Sequence, residues 1–507
     1  MAHSWNHGRA AAHIDKKLTE VSKVEIVDYK RDLSLENIPV NKAYRVHAAH
    51  LYADILNLDD MLAVTAIEGE TCHKRTLRFL NLHYRAVARI LARCDARRVD
   101  FHNQRLHGLV TKPYGDASEA DRVHRAIAIS QLIIEVLDET GDDDAQIPDA
   151  KVRVGIDTGE ALAVNNGRNG GREPLFLGDP ANHAAKFAAG SAKGIYLTKA
   201  ARAAIGLKAV DTPKSTALTV AEIETSQTAA NLGVDKDTIV REWRADLDAN
   251  PIGTFEFSSH TPPLRTLDIG VLTPKNSRRQ DAVSIYADLD GFTAFVSRNI
   301  KDNPGAVVKA LHVIRAELDR VLSGEFDGRR IRFIGDCLHG LICEGTAHTT
   351  DQEQTISTAV LCAGALRSSF ELALQKLEAD EVEVDGLGLQ IGLEYGPMTI
   401  TRLGLQGDRV RCSVSRGVRT SEAEQLRCGA AETAIGQLAY DGGSQAVRDL
   451  FGASRKVANL DYDEAVDALS DDGDETAKVS KAAAYVVAAP AVQRAATIQV
   501  KPHAKSK

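Results

Sequence analysis

Apolar and polar positions fall into the same succession in both halves of the chain, and the second half shows it more clearly. Residues 282–287 are an apolar, β-rich run, and residues 291–322 have helical length and periodicity. Residues 329–334 and 337–343 alternate as strands on either side of Gly335-Asp336, a two-residue hairpin turn. A second long helix is predicted over 355–377, a strand over 387–394, and a further helix over 413–427. The order β-α-β-β-α-β is that of the ferredoxin-like arrangement, an α+β fold with an antiparallel sheet and helices packed on it.

Short motifs recur in the same order at nearly constant spacing. Tyr52-Ala53-Asp54 returns as Tyr286-Ala287-Asp288, Leu106-His107-Gly108-Leu109 as Leu338-His339-Gly340-Leu341, and Val154-Gly155-Ile156 as Ile391-Gly392-Leu393. Three ordered matches indicate a duplication, so a tandem of ferredoxin-like domains is expected. The expected division is a first domain over 24–206, a helical and extended connector over 207–265, a second domain over 266–450 and a C-terminal extension over 451–507. Residues 219–247 of the connector read as helix, and His260-Thr261-Pro262-Pro263 as extended and exposed. In the extension, an acidic start at 471–475 and the closing Lys505-Ser506-Lys507 read as solvated.

Composition changes this picture only by exclusion. The chain has 507 residues, 44% of them hydrophobic and 26% charged, which is the balance of a soluble globular protein with more than one core. No apolar run reaches the ~18 residues of a spanning helix, and the first residues lack the apolar stretch of a secretory signal. A net charge of −8 argues against a nucleic-acid surface. Seven scattered cysteines without a CxxC pair fit reduced thiols in a cytoplasmic protein.

The candidate chemistry sits in the second domain. Asp288 ends a predicted strand and is followed by Leu289-Asp290-Gly291-Phe292-Thr293, which opens a helix. Unpaired N–H groups at that helix start favour an anion such as a triphosphate, and Gly291 lets the backbone approach it. Asp336 occupies the hairpin turn beside the same strand end. Two carboxylates placed there repel each other unless a divalent cation lies between them, so Mg²⁺ or Mn²⁺ is expected.

The segments YADLDGFTAF, RFIGDCLHGLI and LQIGLEYGP, followed by a helix bearing Ser and Arg, resemble the catalytic domain of class III nucleotidyl cyclases. The resemblance covers most of residues 280–427 and is weaker over 45–190. It implies two metal ions on Asp288, Asp336 and the Leu289 carbonyl, with Gly291, Phe292 and Thr293 as part of the triphosphate cradle. It implies Arg332 and Asp408 as readers of the base, Ser415 in place of the family's ribose-orienting Asn, and Arg419 as the cation that meets charge on the phosphate. The implied reaction is attack of a ribose 3′-oxygen on its own α-phosphorus, with release of diphosphate. The first domain keeps Asp54 but has Gln104 at the second carboxylate position and Asp100 where the other copy has Arg332. It retains an Asn and a cation, Asn182 and Lys186, at the ribose and phosphate positions.

Class III sites form head to tail between two domains. One assembly pairs the second domains of two chains, making a homodimer in which Arg332, Asp408, Ser415 and Arg419 face the partner's metal site. The other pairs the two domains of one chain, so that Asn182 and Lys186 face Asp288 and Asp336. The homodimer is the expectation, because the second domain carries both half-sites. An arginine base reader offers only donors, which suits the two carbonyls of uracil. The layout resembles the bacterial pyrimidine cyclases of the Pycsar antiphage system, implying UTP as substrate and a separate effector that answers to cyclic UMP. An adenylate cyclase making cyclic AMP and a non-catalytic nucleotide sensor are the alternatives.

Overall fold

Each Tyr-Ala-Asp repeat lies near the end of a long central strand, Lys42–Ile55 in the first half and Ser277–Asp290 in the second. The computed structural model describes residues 3–141, 147–166 and 174–488. In the first half, Lys42–Ile55 is flanked by Arg105–Val110 and Val152–Val164, both antiparallel to it, and Arg97–His102 pairs outside Arg105–Val110. The second half repeats this order. Ser277–Asp290 lies between Cys337–Ile342 and Gly388–Leu403, with Arg329–Ile334 beyond Cys337–Ile342. Long helices cover the sheets: Glu70–Arg93 and Glu119–Leu137 in the first half, Pro304–Arg320 and Gln352–Ala379 in the second. This is the tandem α+β architecture expected from the strand order.

The repeated motifs have packing reasons. Tyr52 stacks on His107 across the sheet at 4.0 Å, and Tyr286 on His339 at 4.4 Å. Gly155 and Gly392 let a helix lie directly on the sheet. A Cβ at Gly155 would come within 2.2 Å of the Ala184 carbonyl on Asp179–Ala188, and one at Gly392 within 2.2 Å of the Ser421 carbonyl on Arg416–Leu426. Those two helices carry the Asn/Lys and Ser/Arg positions, so the glycines set the height of half of each site.

Several boundaries differ from the periodicity. The stretch 291–322 is two helices, Phe292–Asn299 and Pro304–Arg320, because Asn303 caps the second and Pro304 occupies its first turn. The connector helix breaks into Val220–Ala230 and Lys236–Ala249 at Asn231, which is left-handed. The strand over 387–394 continues to Leu403. Residues 451–488 are no loose tail. Tyr462–Asp471 and Glu475–Ala488 pack on Gln352–Ala379, and Leu460, Tyr462, Ala465, Leu469 and Ala477 are buried in the second-half core. Lys505-Ser506-Lys507 lies outside the described residues. The helix His7–Glu20 also joins the second half, through buried Ala10 and Ile14 and the pair His13 Nδ1–Glu317 at 2.7 Å.

The two halves are interlocked. Leu162, Val164 and Leu177 of the first half lie in the core of the second, and Leu403, Val410, Cys412 and Val414 of the second lie in the core of the first. Each half thus buries an apolar arm in its neighbour, which favours their association in one chain.

Candidate active site between the two halves

The alternation along Ser277–Asp290 places Asp288 at the strand's end, opposite Gln390 in the register. The hairpin turn beside it carries Asp336. Gly291 has φ +75°, and a Cβ there would meet the Gly386 carbonyl at 2.1 Å. Only glycine allows the chain to turn from strand into helix at this point. Gly291→Ala is therefore expected to lower turnover at least tenfold by shifting the helix start (about 1–3 kcal/mol of strain), measured as initial rate beside a far-UV spectrum that reports retained fold.

Burial, joined by repulsion from the neighbouring acids Asp290 and Glu422, pushes the Asp288 carboxyl up to about 6. Burial and then the charge of Asp288 hold Asp336 well above the carboxylate range, against the smaller pull of a backbone hydrogen bond and of Arg315. Asp288 accepts a hydrogen bond from the Cys337 thiol, which pulls its pKa the other way, and a long one from Gln425 Nε2 at 3.5 Å, and Gln425 in turn donates to Gln390 at 2.7 Å. Two half-buried acids with raised pKa values, without an ammonium or guanidinium bonded to either among the described residues, fit a pair of divalent ions. Protons and metal compete for these oxygens. Lowering the pH from 8 to 6 passes toward the raised pKa values, so the half-saturating Mn²⁺ concentration is expected to rise, up to about tenfold per pH unit for each carboxylate protonated. Without metal the sign for stability is the reverse. Raised carboxyl pKa values favour the folded state below the ordinary carboxylate range, and that gain is lost as pH rises past about 6. Mn²⁺ should consequently raise Tm more at pH 7.5 than at pH 5.

The first half closes this site. Asn182 Nδ2 donates to Thr293 Oγ1 at 3.4 Å, and Ser297 Oγ donates to Asp179 at 2.8 Å, joining the helix Asp179–Ala188 to the helix that starts after Gly291. Lys186 stands one turn beyond Asn182, exposed on that helix.

Of the remaining expected residues, Arg332, Asp408 and Arg419 are engaged by the first half within this chain. Arg332 is buried and ion-paired with Asp100 of the first half, and it donates to the Phe101 carbonyl. Its guanidinium is committed to the seam between the halves. Asp408 is held by both terminal nitrogens of Arg98, at 2.6 and 2.8 Å. Ser415 is fully buried as a helix cap, accepting from Val418 N at 3.0 Å and donating to Met398 Sδ at 2.9 Å, so its hydroxyl is spent locally. Arg419 pairs with Asp59 at 2.8 Å, on the side of Asp54. That second seam is filled. Arg416 donates to the carbonyls of Leu62 and Ala66 at 2.9 and 3.0 Å, and Gln104 stands where a second carboxylate would be needed.

Glu68, Cys72 and His73 also converge, with ligand atoms within 4.8 Å of one another. Arg279 Nε donates to His73 Nδ1 at 3.0 Å, which leaves the proton on Nε2, 2.7 Å from Glu68. That proton occupies the position a metal would need, so this cluster is a hydrogen-bonded seam.

The catalytic domain model of adenylate and guanylate cyclases matches residues 275–418. A protein of Pseudomonas aeruginosa named uridylate cyclase is 60% identical over 510 residues, covering 100% of this chain and 99% of its own length. The chain belongs to the class III nucleotidyl cyclases. A second uridylate cyclase, from a Rhizobium species, is 38% identical and covers 82% of each chain. The structure of a class III adenylyl cyclase-like ATP-binding protein from Pseudomonas aeruginosa superposes with a TM-score of 0.91 at 61% identity, over 92% of this cyclase and 100% of that chain. Among the described residues, no helix of this cyclase is long and apolar enough to cross a membrane.

Sequence reasoning missed Gln390, Gln425 and Arg315 around the carboxylates. Gln390 could have been found, since the alternation that places Asp288 also places a residue of the neighbouring strand opposite it. Gln425 and Arg315 arrive from helices, whose rotation the pattern does not set closely enough.

Proposed function

We propose that this cyclase converts UTP to 3′,5′-cyclic UMP and diphosphate at the seam formed by Asp288, Asp336, Asn182 and Lys186. The observation that supports the site is the buried carboxylate pair with raised pKa values beside the helix start at Gly291, to which the first half's Asn182 reaches through Thr293. The base assignment is supported by the uridylate cyclase names of the relatives at 60% and 38% identity. It does not rest on Arg332, whose terminal nitrogens are engaged by Asp100 and by the carbonyls of Phe101 and Arg411.

The unbonded N–H groups at the start of Phe292–Asn299 face the β- and γ-phosphates, and Phe292 and Thr293 shape this cradle. Asp288, Asp336 and the Leu289 carbonyl would hold two Mn²⁺ or Mg²⁺ ions, which lower the pKa of the 3′-hydroxyl and neutralise the triphosphate. Asn182 holds the ribose so that O3′ lies in line with the α-phosphorus. As the O3′–P bond forms and the bond to the β-phosphate oxygen breaks, the hydroxyl proton leaves to solvent. Lys186 meets the charge that gathers on the α-phosphate oxygens. Because the chain completes this seam itself, a homodimer is not needed for turnover. We read the product as a cytoplasmic signal to a separate effector in antiphage defence, on the resemblance to the Pycsar cyclases.

The ATP-binding description of the 61% identical structure favours one second reading, an adenylate cyclase. Incubating the enzyme with each of the four ribonucleoside triphosphates and Mn²⁺, with chromatography of products, decides between them. Cyclic UMP should dominate; cyclic AMP as the main product would overturn the assignment.

A further inference from the structure

The helix Phe292–Asn299, whose first N–H groups form the triphosphate cradle, is held from two sides. Arg298 donates to the Asp385 carbonyl at 2.8 Å and the turn at Gly291 abuts the Gly386 carbonyl, which fixes the helix to its own half. The other attachment is to the first half, through residues 293, 297 and 300, which share one face at helical spacing. Thr293 Oγ1 accepts from Asn182 Nδ2 at 3.4 Å, and Ser297 Oγ donates to Asp179 at 2.8 Å. Ile300 Cδ1 lies 3.1 Å from where a Cβ on Gly178 would stand. Gly178, Asp179 and Asn182 are the cap and first turn of the helix Asp179–Ala188. Ser297 and Asp179 are both exposed, and neither belongs to the cradle or to the Asn/Lys pair.

We propose that Ser297 is a positioning residue for ring closure, fastening the helix that carries Asn182 and Lys186 to the helix that receives the triphosphate, on the reading that the reaction takes place at this seam. Ring closure needs O3′ in line with the α-phosphorus. A ribose held by one half and a triphosphate held by the other must therefore be fixed to within a fraction of an ångström. Between the two helices, the Ser297–Asp179 bond is shorter than the Asn182–Thr293 bond and ends on a charge, which makes it the stronger. The Ser297 hydroxyl also lies 3.0 Å from the Thr293 carbonyl of its own helix, and its single proton has one of the two acceptors to choose. The charged and nearer acceptor wins that competition, so the proton crosses the seam.

Kinetics are measured with Mn²⁺ and the triphosphate that the four-nucleotide incubation selects. Ser297→Ala is expected to lower kcat about tenfold, the worth of a hydrogen bond to a charged group, with KM changed less than about threefold and Tm unchanged. KM is spared because the backbone N–H groups that take the triphosphate are untouched. Ser297→Thr keeps the hydroxyl and should return kcat to within about twofold of the parent. Asp179→Ala removes the other end of the bond, and the double variant should be no slower than the slower single one, since both lose the same interaction. Lys186→Ala, assayed alongside, separates this role from the seam itself. Loss of turnover in Lys186→Ala with undiminished kcat in Ser297→Ala leaves the seam standing and overturns the role of Ser297, placing its proton on the Thr293 carbonyl. Undiminished turnover in Lys186→Ala overturns both. Losses that multiply in the double variant, or no recovery in Ser297→Thr, would also overturn the role of Ser297.

Discussion

Asp288→Asn and Asp336→Asn are each expected to lower cyclic nucleotide formation by roughly 10³-fold, on the scale of losing a main electrostatic element of a transition state. Asparagine keeps the shape and removes the charge, so the metal oxygens lose affinity while the packing stays. The same substitutions should leave Tm unchanged or raise it in metal-free buffer. Burial raises both carboxyls and the charge of Asp288 adds to the rise at Asp336, so an amide at either position removes a buried charge that the metal-free fold disfavours. Loss of activity with undiminished stability is the signature to look for, by product chromatography and thermal melting on the same preparation. Undiminished turnover in both variants would refute a metal role for this pair.

Lys186→Ala should cost about 10²-fold in kcat, as removal of a single charge that acts on the α-phosphate does elsewhere, and Asn182→Ala a comparable factor. Arg419→Ala should change turnover by no more than about threefold. Arg419 pairs with Asp59, whose side chain is 63% exposed, and breaking such a surface pair costs at most about 1 kcal/mol. The contrast separates the two possible assemblies. If Arg419→Ala abolished activity and Lys186→Ala did not, the working site would join the second domains of two chains. Mixing Asp288→Asn protein with Lys186→Ala protein sharpens this. Intrachain sites stay dead in the mixture, whereas sites shared between chains recover part of the activity.

The carboxylates, the glycine turn and the helix start were legible because each is local. A strand end, a hairpin turn and a positive φ leave marks within a few residues, as Asp288, Gly335-Asp336 and Gly291 show. The repeats were legible too, since Tyr/His stacking and glycine clearances oblige both halves to keep the same residues in the same order. The surroundings of Arg332, Asp408, Ser415 and Arg419 were not legible for the opposite reason. Their positions within the domain resemble a substrate half-site, but what three of them touch depends on the neighbouring domain, which brings Asp100, Arg98 and Asp59 to meet Arg332, Asp408 and Arg419. The helix His7–Glu20 likewise crosses to the second half because Ala10 and Ile14 find an apolar surface there, a partner that local pattern does not name.

The sequence alone determined a duplicated α+β chain whose second copy keeps two carboxylates where the first has Asp54 and Gln104, because periodicity and the chemistry of side chains act over short stretches. Only the tertiary structure decided which copy completes which site. That choice is made by apolar arms buried reciprocally between the halves and by ion pairs across the seam, contacts between residues hundreds of positions apart that become neighbours when the chain folds.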